Sequence, residues 1–223
     1  MPKKNARKSA EMTLRDLLVM QLKMLYDVET QLVKALPKMA KKSTNADLRR
    51  GFERHLKQTQ GHVSRLENVF DALEMRPQKI QNGAIRGLVA DADSMMKNVK
   101  GSSALDAGLI ATAQCVENYE MAEYSSALGW AKLLNQYDIA DSLQETFDEE
   151  QETSDELAEM AHSEIDEAAL GEHQEGDKIL ILSQVSNNNG SSKNKNEDEM
   201  DDEDEEAETE SDLKTEEEVE SQG

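Results

Sequence analysis

Apolar residues recur every three or four positions along most of the chain up to about residue 170, which is the spacing of an amphipathic α-helix. Four long segments and one short segment show this pattern, and turn-forming residues separate them. The segments are rich in Leu, Ala, Met, Glu and Lys, so the pattern predicts an all-α protein. The predicted helices span about residues 13–39, 45–73, 83–99, 103–134 and 137–169.

Capping and breaking residues lie close to these predicted boundaries. Thr13 and Asp16 have the spacing of a capping box at the start of the first helix. Pro37 predicts a kink or a break near the end of that helix, and Pro77 ends the second helix. The short helix lies within a connection of about thirty residues, which is typical of a crossover rather than a tight turn. We therefore predict a four-helix bundle with a short extra helix between the second and third long helices.

Polar residues interrupt the apolar stripe of every long helix. The clearest case is the segment 116–124 of the third long helix, where two glutamates three residues apart lie on the predicted buried face. A buried carboxylate needs a partner, because removing its charge from water carries a large free-energy cost. The interrupting residues are Glu29, His55, Thr59, His62, Glu117, Glu120, Tyr124 and Glu150.

These polar positions are predicted to meet at one level of the bundle. Helices joined by a short turn run antiparallel, so residues equally far from the turn lie at the same height. Glu29 then lies opposite the segment between the two histidines of the second helix, and Glu120 lies close to Glu150. Carboxylates with one or two imidazoles suit iron or manganese, and a pair of divalent ions would neutralise the crowded acids. The expected metal ligands are Glu29, His55, His62, Glu117, Glu120 and Glu150.

A second interpretation of the same positions needs no metal. The acids can form a buried polar network in which protonated or paired carboxylates are satisfied by side chains nearby. Such a network specifies the register of the helices without performing any chemistry. The expected partners of the acids in this network are His55, Tyr26, Tyr119 and Tyr124.

Two other groups of polar residues on the last helix are predicted to lie outside the site. Glu159 and His162 have the Glu-x-x-His spacing of metal sites, but they lie about 15 Å below Glu150 along the helix. We predict that they lie at the surface or rim. A run of acids is predicted to form a solvated helix face, and its members are Asp148, Glu149, Glu152 and Glu156.

Composition divides the chain into unequal parts. Residues 186–223 hold 16 Asp or Glu against 3 Lys, which gives −13 of the total charge of −22. Such a segment has too few apolar residues to fold, so it is predicted to be a disordered acidic tail. Residues 1–12 are predicted to be a disordered basic N-terminus, 13–170 a single helical domain, and 171–185 a linker. Within the linker, the apolar patch 179–182 is expected to dock on the bundle.

Charge and cysteine content narrow the expected partners and compartment. The strong acidity argues against nucleic-acid binding, because attraction to phosphates dominates that affinity. No apolar run has membrane-spanning length, and the single Cys115 suits a reducing compartment, so a cytoplasmic protein without membrane contact is expected. The acidic tail is either a solubilising segment or a binding segment for a basic partner.

Several separate segments carry recognisable motifs in chain order. One of them reads Leu-Tyr-Asp-Val-Glu-Thr-Gln-Leu at 25–32, and another reads Val-Glu-Asn-Tyr-Glu-Met-Ala-Glu-Tyr at 116–124. Together these segments resemble the YciE/YciF-type family of the ferritin-like superfamily. The resemblance covers about residues 13–165. It implies a rubrerythrin-like four-helix bundle that can hold a di-iron centre, a role in the stress response, and a homodimer.

The chain departs from the ferritin-like pattern in its ligands. Di-metal sites of this kind carry Glu-x-x-His on two helices, but here Thr59 stands three residues before His62. Thr153 likewise stands three residues after Glu150. The resemblance also implies acids at Gln58 and near Ser154. Fewer ligands are consistent with a weaker site, a mononuclear site or no site.

Two functions of different classes are compatible with these observations. The first is a stress protein with a di-iron or di-manganese centre that reacts with peroxide or oxygen. The second is a non-catalytic helical dimer that acts through protein contacts, with structural buried carboxylates. Storage of iron in a cage is a weaker third hypothesis, because nothing in the sequence specifies a larger assembly.

Overall fold

A computed structural model describes residues 11–172, which form an all-helical domain. Residues 166–172 continue as α-helix beyond the last element, and no strand occurs between residues 11 and 172. The predictions for the N-terminus, the apolar patch 179–182 and the acidic tail lie outside the described residues. The elements are α1 (Leu14–Lys42), α2 (Ala46–Ala72), α3 (Gly83–Asn98), α4 (Ser103–Leu133), α5 (Tyr137–Met160) and a π-helical turn (Ala161–Ile165).

The four long helices form a bundle built from two helical hairpins. α1 packs along α2, and α4 packs along α5, while α1–α4 and α2–α5 contacts join the two hairpins. α3 packs against α1 and α4, within the connection between the hairpins. The prediction of an all-α four-helix bundle with a short extra helix is therefore confirmed.

Side chains fix the starts of the helices largely as the sequence indicates. The side chain of Thr13 accepts a hydrogen bond from the Asp16 backbone N–H, and the Asp16 carboxylate accepts one from the Thr13 backbone N–H. This pair is the predicted capping box. Of the kink or break predicted at Pro37, the break does not occur, because α1 continues through the proline to Lys42. Burial of its last apolar residues and a hydrogen bond from Ser43 to Met39 O stabilise the turn after the proline.

Two apolar clusters fill the two ends of the bundle core. The first cluster surrounds Leu32, Phe52 and Leu109, and the second surrounds Leu22, Phe70 and Leu143. In α2, α4 and α5 the predicted acids and histidines fall between the residues of the two clusters, and in α1 Glu29 lies beside Val28 at the edge of the first cluster. The fold therefore places a polar layer between two dry halves of the core.

Helix α5 is rotated slightly from the predicted orientation. Phe147 and Ser154 are predicted on its buried stripe, but both are only half-buried. Thr146 and Thr153, one position earlier in each case, are buried instead. Glu150 remains fully buried, so the rotation changes its neighbours without removing it from the core.

Candidate metal centre

All four long helices contribute to the polar layer. Glu29 comes from α1, two histidines from α2, two glutamates from α4 and Glu150 from α5. None of these residues is more than 3% exposed. The structure therefore brings together the whole predicted set, namely Glu29, His55, His62, Glu117, Glu120 and Glu150.

The six residues form two groups that share Glu150. One ligand atom from each of His55, Glu117, Glu120 and Glu150 lies within 4.8 Å of the others, and we call this set the His55 group. The same is true of Glu29, His62 and Glu150, which we call the His62 group. A carboxylate with two oxygens can serve both groups at once. The arrangement therefore offers two adjacent candidate cation sites that share one acid.

Distances within the groups show which imidazole nitrogens face the layer. His55 Nε2 lies 3.3 Å from Glu117 Oε1 and 3.9 Å from Glu150 Oε2. His62 Nδ1 lies 2.9 Å from Glu150 Oε1 and 3.5 Å from Glu29 Oε2. None of these contacts has the geometry of a hydrogen bond. The nitrogens and oxygens converge on common points, and the closest of these contacts is the ion pair of His62 Nδ1 with Glu150 Oε1.

Unpaired polar atoms are concentrated in this layer. Within residues 11–172, every buried side-chain nitrogen or oxygen that lacks a hydrogen-bond partner belongs to one of the six residues. An unpaired buried polar atom carries a substantial free-energy cost, and native structures contain few of them. The atoms are Glu29 Oε2, His55 Nε2, His62 Nδ1, Glu117 Oε2, both Glu120 oxygens and both Glu150 oxygens.

Burial and mutual repulsion disfavour ionisation of the glutamates. Burial raises the pKa of Glu117 to about 8. Burial also raises the pKa of Glu29 and Glu150. The pKa of Glu120 rises well above its usual value, first through burial and then through repulsion by the other acids. Without a cation these carboxyl groups tend to keep protons, and a divalent ion would replace those protons.

The pKa values of the two histidines shift in opposite directions. Burial alone would lower the pKa of His62, but contacts with Glu150 and Glu29 outweigh it and raise the pKa to about 11. Burial dominates at His55 and lowers its pKa. His55 is therefore neutral and free to donate a lone pair, whereas a metal at His62 must displace a proton.

Sequence reasoning missed part of the surrounding shell. Glu149, predicted on the solvated face, lies with Oε2 2.7 Å from His62 Nε2 and accepts a hydrogen bond from Arg65. Thr153 contacts His55 Nδ1 at 3.4 Å. Periodicity does not single out Glu149, because it precedes the core position Glu150 and its side chain is 31% exposed. Only the packing of α2 against α5 assigns them to the site.

The tyrosines of the proposed polar network divide between two roles. Tyr124 is buried and donates a hydrogen bond to Glu29 Oε1. Tyr26 donates instead to Glu67, and Tyr119 accepts from Asn82 Nδ2. Two of the three predicted tyrosines therefore bond outside the layer, and they leave its acids without those donors.

The structure also shows the surroundings of the Glu-x-x-His motif near the end of α5 and of Gln58, where the chain departs from the ferritin-like pattern. Glu159 and His162 are both exposed, as predicted for a surface or rim. Gln58 is half-buried and lines a cavity of about 20 Å³ that also borders His55 and Thr153. A second cavity of about 20 Å³ borders His55 and Glu117 from the side of α3. Each has room for a molecule of about the size of water.

Comparison with known proteins places this helical domain in a family. Residues 13–170 match a family model described as "Domain of unknown function (DUF892)". Protein YciF of Escherichia coli (strain K12) is 31% identical over 158 residues, which are 70% of this chain and 95% of YciF.

Solved structures agree with the sequence match. The crystal structure of the E. coli stress protein YciF has a TM-score of 0.67 and 30% identity, covering 70% of this chain and 99% of that chain. YcfI from Rhodopseudomonas palustris has a TM-score of 0.64 and 38% identity, covering 67% of this chain and 96% of that chain. The chain therefore belongs to the DUF892 family of the ferritin-like superfamily and is a homologue of the stress protein YciF.

Proposed function

We propose that the buried layer binds two iron or manganese ions and that the protein uses them in a stress response. The observation that carries this proposal is the convergence of unpaired carboxylate oxygens and imidazole nitrogens in one dry layer. Hard carboxylates with two imidazoles are a donor set that suits iron or manganese. The shared Glu150 supports two ions rather than one, because each of its oxygens faces a different histidine.

The residues of each group have separate tasks in this proposal. The His55 group offers three carboxylates and one imidazole, and the His62 group offers two carboxylates and one imidazole. Tyr124 holds Glu29 by its hydroxyl hydrogen bond, which leaves Oε2 of Glu29 for the ion. Bound iron or manganese would supply the electrons for reduction of peroxide or oxygen.

Access and electron supply complete the proposal. The two small cavities beside His55 place room for a small oxidant next to the His55 group. The chain has one cysteine, Cys115, and so lacks a rubredoxin-type cysteine site. The electrons that reduce the metal ions again after each reaction would therefore come from a separate donor.

In the described part of the chain, no helix combines the length and the apolar character needed to cross a membrane.

Metal content tests the proposal directly. We expect about two iron or manganese atoms per chain after expression with both metals, and loss of both in Glu29→Ala/Glu120→Ala. Glu159→Ala/His162→Ala is the matched control, because it removes an exposed acid and histidine and should leave the metal content unchanged. Less than about 0.1 atom per chain, also after anaerobic loading with ferrous iron, would contradict the proposal.

A non-catalytic dimer is the second candidate, and one observation favours it. Thr59 and Thr153 replace ligands of the complete ferritin-like pattern, and both hydroxyls bond to backbone carbonyls instead. In that case the acids of the layer are protonated or paired with His62, and the protein acts through contacts with a second copy or another protein. Less than about 0.1 iron or manganese atom per chain, together with a dimer mass in light scattering, would favour this candidate.

A further inference from the structure

The two histidines of the layer have different partners on their outer nitrogens. His62 Nε2 lies 2.7 Å from the carboxylate of Glu149. His55 Nδ1 lies 3.4 Å from the hydroxyl oxygen of Thr153. That hydroxyl donates its hydrogen to the backbone oxygen of Glu149, so it can only accept at His55. One histidine is therefore backed by an anion, and the other by a neutral oxygen at a longer distance.

Glu149 is itself held in place by Arg65. Arg65 Nη1 donates to Glu149 Oε2 at 3.0 Å and to Thr146 Oγ1 at 2.6 Å, and Arg65 Nη2 lies 2.8 Å from Glu145 Oε1. Arg65 follows His62 by one turn of α2, while its contacts all lie on α5. The guanidinium of Arg65 and the carboxylate of Glu149 form an ion pair, and this nearby positive charge favours the anionic form of Glu149. The Arg65 side chain is 18% exposed, so this contact is only partly screened by water.

An anion on the outer nitrogen of a histidine has two physical effects on a metal at the inner nitrogen. It keeps a proton on the outer nitrogen, which leaves the inner nitrogen as the one that can bind the ion. It also increases the basicity of the ring and fixes its rotation. For His62 the inner nitrogen is Nδ1, which faces Glu29 and Glu150.

We propose that Glu149 is a positioning residue that directs His62 Nδ1 at the metal, and that Arg65 positions Glu149. The two metal sites are then unequal: the His62 group has a histidine backed by a carboxylate, and the His55 group does not. This inference rests on the proposed metal centre, and it adds that affinity for one of the two ions depends on a residue that touches neither ion.

Metal titration of the full chain tests the inference with Glu149→Gln, which keeps the shape of the side chain and removes its charge. In the unmodified protein, we expect calorimetry and electron paramagnetic resonance to show two binding events for Mn²⁺. In Glu149→Gln one event should weaken by about 10- to 100-fold, and the other should change by less than about threefold. Glu149→Asp should recover part of the loss, because it restores the charge at a longer distance.

Glu145→Gln is the matched control, since Glu145 contacts Arg65 but not His62. It should leave both events unchanged. A readout that a merely structural role would not move is the proton on the His62 ring. In Zn²⁺-loaded protein, nitrogen-15 spectra should assign that proton to Nε2 in the unmodified chain and show a weaker hydrogen bond there in Glu149→Gln.

The outcomes separate this inference from the proposed function. If the unmodified protein binds no metal, both are wrong. If it binds two ions and Glu149→Gln binds them equally well, the positioning role alone is wrong. Equal weakening in Glu145→Gln and Glu149→Gln would also overturn it, because the cause would then be the general loss of negative charge.

Discussion

Two buried acids on α4, Asp106 and Glu120, have opposite surroundings. Both are at most 1% exposed. The carboxylate of Asp106 accepts hydrogen bonds from the backbone N–H of Thr44 at 2.9 Å and of Asn45 at 2.8 Å, and from the Thr44 hydroxyl. Neither oxygen of Glu120 has a hydrogen-bond partner. The same helix thus buries one acid that the fold satisfies and one that it leaves unpaired.

The difference distinguishes an acid that stabilises the fold from one that is available to a ligand. Asp106 ties the turn between α1 and α2 to the start of α4, so it joins the two hairpins. Within the described residues, Glu120 makes no side-chain hydrogen bond or ion pair, and it lies among the other acids with unpaired oxygens. Burial alone therefore does not identify a metal ligand, whereas burial without donors does point to one.

The largest expected effect that separates the two regions is the pH dependence of stability in the metal-free protein. Burial raises the pKa of Glu117 to about 8, so the folded state keeps its proton at pH values where the unfolded state has lost it. The raised pKa of His62, about 11, acts in the same direction above pH 6.5. The free energy of unfolding should therefore fall by several kcal/mol as the pH rises from about 5 to 9.

Urea denaturation across this pH range measures the effect. Bound metal takes the place of the protons, so the metal-loaded protein should lose much less stability over the same range. If the stability of the metal-free protein rises between pH 5 and 8, the buried carboxyl groups do not keep their protons in the folded state as we infer.

The second expected effect is a loss of stability in Asp106→Ala. The substitution leaves the backbone N–H groups of Thr44 and Asn45 without their acceptor. We expect the free energy of unfolding to fall by about 3 kcal/mol, with or without metal. Asp93→Ala removes an acid whose ion pair with Lys38 is exposed, and this control should change stability by less than about 1 kcal/mol. Equal losses in the two variants would remove the distinction drawn for Asp106.

The smallest expected effect has the opposite sign and concerns Glu120→Gln. The amide is neutral at every pH, whereas burial forces the folded protein to keep Glu120 protonated at a pH where the unfolded chain has lost that proton, so the substitution removes this cost. At pH 8 the metal-free variant should be more stable than the unmodified protein by about 1 kcal/mol. It should also gain less stability from added Mn²⁺, because one ligand charge is lost. A large loss of stability without metal would mean that Glu120, like Asp106, supports the fold.

Much of the fold follows from local patterns in the sequence. The spacing of apolar residues locates the five helices, and Thr13 with Asp16 marks a helix start, because these signals act within a few residues of the chain. The height of the polar layer also follows, since short turns fix which residues of a hairpin lie side by side. The effect of Pro37 does not follow, because packing of the last turn of α1 outweighs the missing hydrogen bond.

The shell around the layer could not be predicted in the same way. Assigning Ser154 to the buried face and Glu149 to the solvated face are both errors of rotation about the axis of α5. A stripe of apolar residues defines that rotation only to within about one residue, which is roughly 100°. The partners of Tyr26 and Tyr119 depend on residues elsewhere in the chain, which periodicity does not reveal.

The sequence by itself determined the helices, the crossover and the level at which acids and histidines interrupt the core. These are properties of one helix or one hairpin, set by spacing and by the cost of burying charge. Only the tertiary structure decided that most carboxylate oxygens of the layer lack donors, that Glu150 faces both histidines, and that Glu149 contacts the outer nitrogen of His62. Those properties depend on distances of a few ångströms between side chains of different helices, and packing of the whole bundle sets them.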